Sequence, residues 1–144
     1  MTSNSNSRTP KIGEIYLMNF SGHGSEQSGW RPGVVFQNNT CNKHSPNIIA
    51  LPLTSSLKKL DQPTHVLLKA EDTELLKDSI VLCENPQRMS KESLGNYITT
   101  LSDSYIEKIA IANLLATSAI SFIDPSVLMF VHQQARMLNN FSDC

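Results

Sequence analysis

Gly24-Ser25-Glu26-Gln27-Ser28-Gly29-Trp30-Arg31-Pro32-Gly33-Val34-Val35-Phe36-Gln37 joins a polar, glycine-bracketed loop to a run of strand-forming residues. Gly24 and Gly29 allow the backbone to bend closely around a ligand. Pro32 fixes its own φ and biases Arg31 toward an extended conformation, so the guanidinium is expected to project from a loop–strand junction. Glu26, Gln27 and Arg31 place an acceptor, an amide and a permanent cation within a few residues of one another. Taken alone, such a loop with one arginine is also what an ordinary solvated hairpin carries.

Outward from this stretch, residues 12 to 89 alternate short apolar runs with turn chemistry, the pattern of many short strands. Strands are expected over 12–20, 34–37, 48–54, 64–68 and 79–83, with Asn38-Asn39-Thr40 as a turn. In 48–54, Ile49, Leu51 and Leu53 share one face while Ile48, Ala50, Pro52 and Thr54 share the other. Pro52 cannot donate to a ladder, so an edge or a bulge is expected there. The last third changes period. Residues 97–101 read as a final strand, and a helix over 105–117 starts at Ser102 or Ser104, the latter in a capping-box pattern with Glu107. Asp124-Pro125 reads as the cap and first residue of another helix. Its stripe is Val127, Leu128, Val131, Ala135 and Leu138, expected to pack on its own domain. The organisation is a flexible tail over 1–11, a domain over 12–120 and a helical extension over 121–144.

Composition excludes several classes. The formal charge of −1 on 144 residues argues against a strongly basic nucleic-acid binder, so any RNA would meet a local patch. Arg31, Lys43, His44, Lys58, Lys59, Arg88 and Lys91 are the candidates. Three cysteines at 41, 83 and 144 lack Cys-x-x-Cys spacing, which fits neither a disulfide framework nor a zinc site and points to a reducing compartment. The histidines show no metal-binding spacing, and no metal or cofactor is expected. The N-terminus has no apolar signal region. The uncharged run 109–123 is shorter than the roughly 20 apolar residues a membrane span needs, so it is expected to be a buried helix in a cytoplasmic protein.

Gly-Ser-Glu-Gln-x-Gly-x-Arg-Pro before Val-Val resembles the first signature of the MazF/PemK family of bacterial toxins. Gly13-Glu14-Ile15-Tyr16-Leu17 sits where that family has its first strand. Asn42-Lys43-His44-Ser45-Pro46 with Ile48-Ile49-Ala50-Leu51-Pro52-Leu53-Thr54-Ser55 resembles the second signature, and Lys77-Asp78-Ser79-Ile80-Val81-Leu82-Cys83-Glu84 the late strand. Leu101-Ser102-Asp103 matches the start of the closing helix. These signatures cover about residues 12 to 118, in order. The resemblance implies a mostly β fold with C-terminal helices, a small SH3-like antiparallel barrel of the MazF/PemK/CcdB kind. It also implies a homodimer, a cognate antitoxin protein as partner, and cleavage of single-stranded RNA such as mRNA.

It further implies the site. Arg31 and Thr54 match the family's catalytic pair, and Glu26 matches a further important position, as proton acceptor or as orienting partner of Arg31. The chemistry is coherent, because RNA carries its own 2′-OH nucleophile. Cleavage needs a proton acceptor, a cation over the phosphoryl oxygens and a hydrogen bond to the departing oxygen. A guanidinium fork suits the cation's task. Ser25, Gln27, Trp30, Asn38, Ser55, Asn85, Gln87 and Arg88 are expected to contact substrate. Trp30 reads equally as a base-stacking platform or a core anchor. Asn38, Asn39, Asn42 and Asn47 offer donors and acceptors for base edges. In Glu84-Asn85-Pro86-Gln87-Arg88, Gln87 stands where relatives carry a basic residue. Arg88, one step on, points to the other face unless a bulge intervenes. Two other readings use the same barrel: a non-enzymatic, CcdB-like toxin that poisons a topoisomerase, and a degenerate member that binds only antitoxin or RNA.

Overall fold

β1 (Glu14–Phe20), β2 (Gly29–Val35), β3 (Asn47–Thr54), β4 (His65–Leu68), β5 (Ser79–Leu82), β6 (Gln87–Ser90) and β7 (Leu94–Thr100) form one antiparallel sheet. The computed structural model describes residues 8–20 and 29–140, which also hold helices α1 (Asn39–His44), α2 (Asp103–Thr117) and α3 (Leu128–Asn140). The strand order is β4-β5-β3-β2-β1-β7, with β6 paired to β3 off this path. The hydrogen-bonded path ends at β4 and β7, so the expected barrel is an open one. The mostly β class with C-terminal helices stands.

Alternation along the central strands feeds two cores. Ile15, Val34, Leu51 and Leu53 turn to one face and pack with Val66, Leu68, Val81 and the α2 residues Ile109 and Ala112. Tyr16, Met18, Phe20, Val35, Ile48 and Ala50 turn to the other, with Leu94. Each fully buried side chain of this size contributes about 1.5–3 kcal/mol. Packing at the second core is close: a Cβ on Gly33 would lie 2.7 Å from Met18 Sδ and from Phe20 Cζ. Gly13, at φ +91, admits the Ile106 side chain of α2 where a Cβ would collide.

Several elements differ from expectation. β2 begins at Gly29 rather than Val34, so Trp30, Arg31 and Pro32 lie within the strand, opposite Asn19, Met18 and Leu17. The asparagine turn is a short helix, α1. Its buried Asn42 donates to Gln37 O (2.8 Å) and Asn39 Oδ1 (3.0 Å) and accepts from Gln37 Nε2 (3.0 Å). β6 is an added strand, and β7 starts three residues before the expected 97–101. Ser102, not Ser104, caps α2, accepting from Tyr105 N. The run 109–123 is not a buried helix. α2 ends at Thr117, Ser118 closes it at φ 57, and Ile111, Leu114 and Leu115 are exposed.

The two termini are held differently. Within the tail expected over 1–11, residues 8–11 are tethered to the domain, with Pro10 buried. Buried Glu14 accepts from Arg8 Nη2 (2.7 Å), Lys11 N (2.8 Å) and Tyr16 Oη (2.9 Å). The Arg8 guanidinium lies 3.8 Å over the Tyr97 ring. At the other end α3 meets the domain through its last turn, where Asn39 N donates to Asn139 Oδ1 (3.0 Å) and Thr40 Oγ1 to Leu138 O (2.6 Å). Its apolar stripe is uncovered, contrary to the expectation that it packs on its own domain; Val127, Val131 and Leu138 stay exposed. No described helix is long and apolar enough to cross a membrane.

Candidate active site

The site forms where β2 begins and β3 ends. Pairs Val35↔Ala50, Val34↔Leu51 and Gly33↔Pro52 fix the register. Two further steps along it set Arg31 opposite Thr54, so their side chains share a face. Arg31 Nη1 donates to Leu53 O at 3.2 Å. The Thr54 hydroxyl accepts from Ser56 N at 3.1 Å. That bond uses an oxygen lone pair and leaves the hydroxyl proton for another acceptor. Both residues line a cleft of about 600 Å³. Its apolar walls are Leu17, Pro32, Leu53, Leu75, Leu76 and Ile98, and Ser55, Glu74, Lys77 and Ser79 add polar groups.

A second cleft of about 380 Å³ shares Thr54 and is lined by Lys58, Lys59, Gln62, His65 and Glu84 among others. His65 is fixed between Lys59 O (Nδ1, 2.8 Å) and Glu84 Oε2 (Nε2, 3.0 Å), which ties the β3–β4 loop to the end of β5. Thr54 therefore sits between a largely apolar cleft holding a guanidinium and a polar one carrying two lysines. Such a run of cations beside a hydroxyl suits a chain of phosphates. Close by, burial chiefly, and then Glu84, push the Cys83 thiol up to about 12. It stays protonated at neutral pH and serves the core, not the chemistry.

The other expected residues divide. Ser55 lines the first cleft with Arg31 and Thr54. Trp30 is partly exposed and leans over β7, with its ring 3.1 Å from where a Gly95 Cβ would stand. Glu26, Ser25 and Gln27 lie outside the described residues. Asn38 is at the other end of β2, about 23 Å from Arg31 at strand rise, and its Oδ1 caps α1 at Cys41 N. Asn85 is in the turn after β5, its N–H on Leu82 O. Gln87 and Arg88 pair with Ala50 and Ile49 without a bulge, so Arg88 does face away from Gln87 and is exposed. Neither lines the two clefts. The wall of residues 74–77 was missed; its one sequence signal is Leu75-Leu76 between Glu74 and Lys77, with Leu75 turned into the core and Leu76 fully outward.

An open antiparallel sheet that presents an arginine and a hydroxyl in a cleft, with lysines next to it, defines a small protein built to hold an anionic chain. Comparison with known proteins makes the class specific. The sequence model of the PemK-like, MazF-like toxins of type II toxin–antitoxin systems matches residues 11–115. Endoribonuclease MazF of Staphylococcus saprophyticus is 39% identical over 98 residues, 67% of this chain and 82% of that protein. The chain belongs to the PemK-like, MazF-like toxin family. Among solved structures, MazF from Deinococcus radiodurans superposes with a TM-score of 0.66 at 18% identity, over 78% of this chain and 99% of that one. A mycobacterial endoribonuclease in complex with its cognate antitoxin gives 0.63 at 24%, over 76% and 96%. These likenesses establish the fold, and they leave the extension past residue 115 outside the family match.

Proposed function

We propose that this chain is the toxin of a type II toxin–antitoxin pair, an endoribonuclease that cuts single-stranded RNA in the cytoplasm through its own 2′-OH. The observation that carries the reading is the register that sets Arg31 beside Thr54 in one cleft. Arg31 presents its guanidinium to the phosphoryl oxygens, where negative charge grows as the 2′-oxygen attacks in line. The Thr54 hydroxyl donates to the same phosphate. Glu26, in the loop leading to β2, is the candidate acceptor of the 2′ proton or the partner that orients Arg31. Ser55 and the Lys58–Lys59 cleft take the nucleotides beyond the cut.

The products follow from the chemistry: a 2′,3′-cyclic phosphate, or the 3′-phosphate after its opening, and a 5′-hydroxyl. Mapping the breaks in a long RNA tests the reading. Cuts at a short recurring sequence with 5′-hydroxyl ends are expected, along with activity in EDTA and resistance of substrates with a 2′-deoxy sugar at the cut. Ends bearing 5′-phosphate, or cleavage of the deoxy substrate, would overturn it. The family and a relative solved with its cognate antitoxin support a cognate antitoxin here, whose acidic segment would cover Arg31. The uncovered apolar faces of α2 and α3 support a two-fold dimer, since patches of this extent are rare on monomers. Sedimentation at micromolar concentration is expected to give twice the chain mass.

A further inference from the structure

Pro32 lies in a strand that is hydrogen-bonded on both sides, a position where proline ordinarily breaks the ladder. The direction of its backbone can be read from neighbouring bonds. Phe36 N donates to Ile49 O (2.9 Å) across β2 and β3, while Val35 O accepts from Gly13 N (2.9 Å) on the β1 side. Backbone groups alternate along a strand, so residues 36, 34 and 32 face β3 and residues 49, 51 and 53 face β2. The register then sets Pro32 against Leu53 as a hydrogen-bonding pair. Any other residue at 32 would donate its N–H to Leu53 O. Proline has none, and Leu53 O instead accepts from Arg31 Nη1 at 3.2 Å. Leu53 is buried, so its carbonyl needs a partner from within the protein.

We propose that Pro32 is a positioning residue for Arg31: by withholding a ladder donor it leaves the Leu53 carbonyl to hold the guanidinium at the wall of the cleft, beside Thr54. One nitrogen is fixed by the backbone, and the plane of the fork is thereby set for the anion. Loosening that anchor leaves the long side chain less firmly ordered before the substrate arrives, which slows the chemical step. The catalytic consequence rests on the ribonuclease reading above; the anchoring does not.

The test compares Pro32→Ala, which restores an N–H facing Leu53 O, with the same position carrying the α-hydroxy analogue of alanine, which has no N–H. With a short RNA substrate, Pro32→Ala is expected to lower kcat roughly tenfold with KM changed by less than about twofold. The α-hydroxy analogue is expected to recover most of the rate. Side-chain NMR of Arg31 provides a second readout, independent of catalysis. Rotation about the Cζ–Nε bond should be faster in Pro32→Ala than in the wild type and slow again in the analogue. Wild-type kcat in Pro32→Ala, or an analogue as slow as Pro32→Ala, would overturn the catalytic role. Unchanged Arg31 rotation in all three proteins would overturn the anchoring. If the wild type cut no RNA while the NMR series behaved as expected, the ribonuclease reading would fail and the anchoring would stand.

Discussion

Arg31 and Thr54 are ordinary residues made consequential by one register, and their roles can be separated by substitution. Removing a positioned electrostatic or hydrogen-bonding group in such a site typically costs about 10²–10³ in rate. Arg31→Ala is expected to lose at least that much in single-turnover cleavage. Arg31→Lys should recover only part of it, because an ammonium cannot both reach Leu53 O and present a planar fork to the phosphate. Thr54→Val keeps the shape of a strand-ending residue and removes the hydroxyl. A folded, nearly inactive protein is expected, although the Ser56 N–H loses its acceptor. Full activity of a folded Arg31→Ala protein would remove the basis of the assignment. At this scale the pair was legible through the family signatures, whereas the cleft around it was not. Leu17, the Leu75-Leu76 pair and Ile98 converge from three separate parts of the chain, and nothing in their local sequence marks those parts as neighbours.

At the scale of elements, α2 carries a correctable strain. Ser118 ends it at φ 57, ψ 16 with its N–H on Leu114 O, a left-handed cap that glycine fills without a Cβ penalty. Ser118→Gly is expected to stabilise the fold by about 1 kcal/mol, less whatever the freer unfolded chain takes back. Denaturant titration checks this, and a lower midpoint would mean that the entropy of the freer unfolded chain outweighs the relieved backbone strain. The same scale shows where sequence patterning failed. Pro32 read as a loop–strand junction with the strand starting at 34, yet Pro32 and Gly33 are both interior to β2. The proline's missing donor is replaced by a side chain, and the glycine is needed by Met18 and Phe20 from the adjoining strand. Pro52 was read more accurately. β6 pairs with β3 through Ala50 and β5 takes over at Leu53, so the proline falls in the gap between the two partners. The asparagines of 38–42 cap and fill a helix because their amides found backbone partners nearer than any ligand.

Over the whole molecule, two cores back one sheet, and ionisable groups buried between strands and termini make that assembly sensitive to charge. At the N-terminus, Arg8→Ala removes a cation paired at 2.7 Å with the Glu14 carboxylate, a residue only 3% exposed. A loss of about 1–2 kcal/mol is expected, between the values for exposed and buried pairs, since Arg8 itself is half exposed. Alkali tests both cores. Burial raises Cys83 from its ordinary value of 9.0 to about 12, and burial together with Glu14 raises Tyr16 above its ordinary 10.0. In both cases the fold holds the proton more tightly than the unfolded chain does. The stability each contributes is full below the unfolded value and is lost as pH rises from there toward the folded one. The denaturant midpoint of the wild type should therefore be level to about pH 9 and fall above it, first through Cys83 and then through Tyr16. Cys83→Ala lowers the plateau by leaving a small cavity in the α2-side core, and it removes the first of the two titrations. Its decline is expected to begin near pH 10 instead of near 9. A wild-type midpoint that stays level to pH 10, or the same onset in both proteins, would show that Cys83 does not couple to folding.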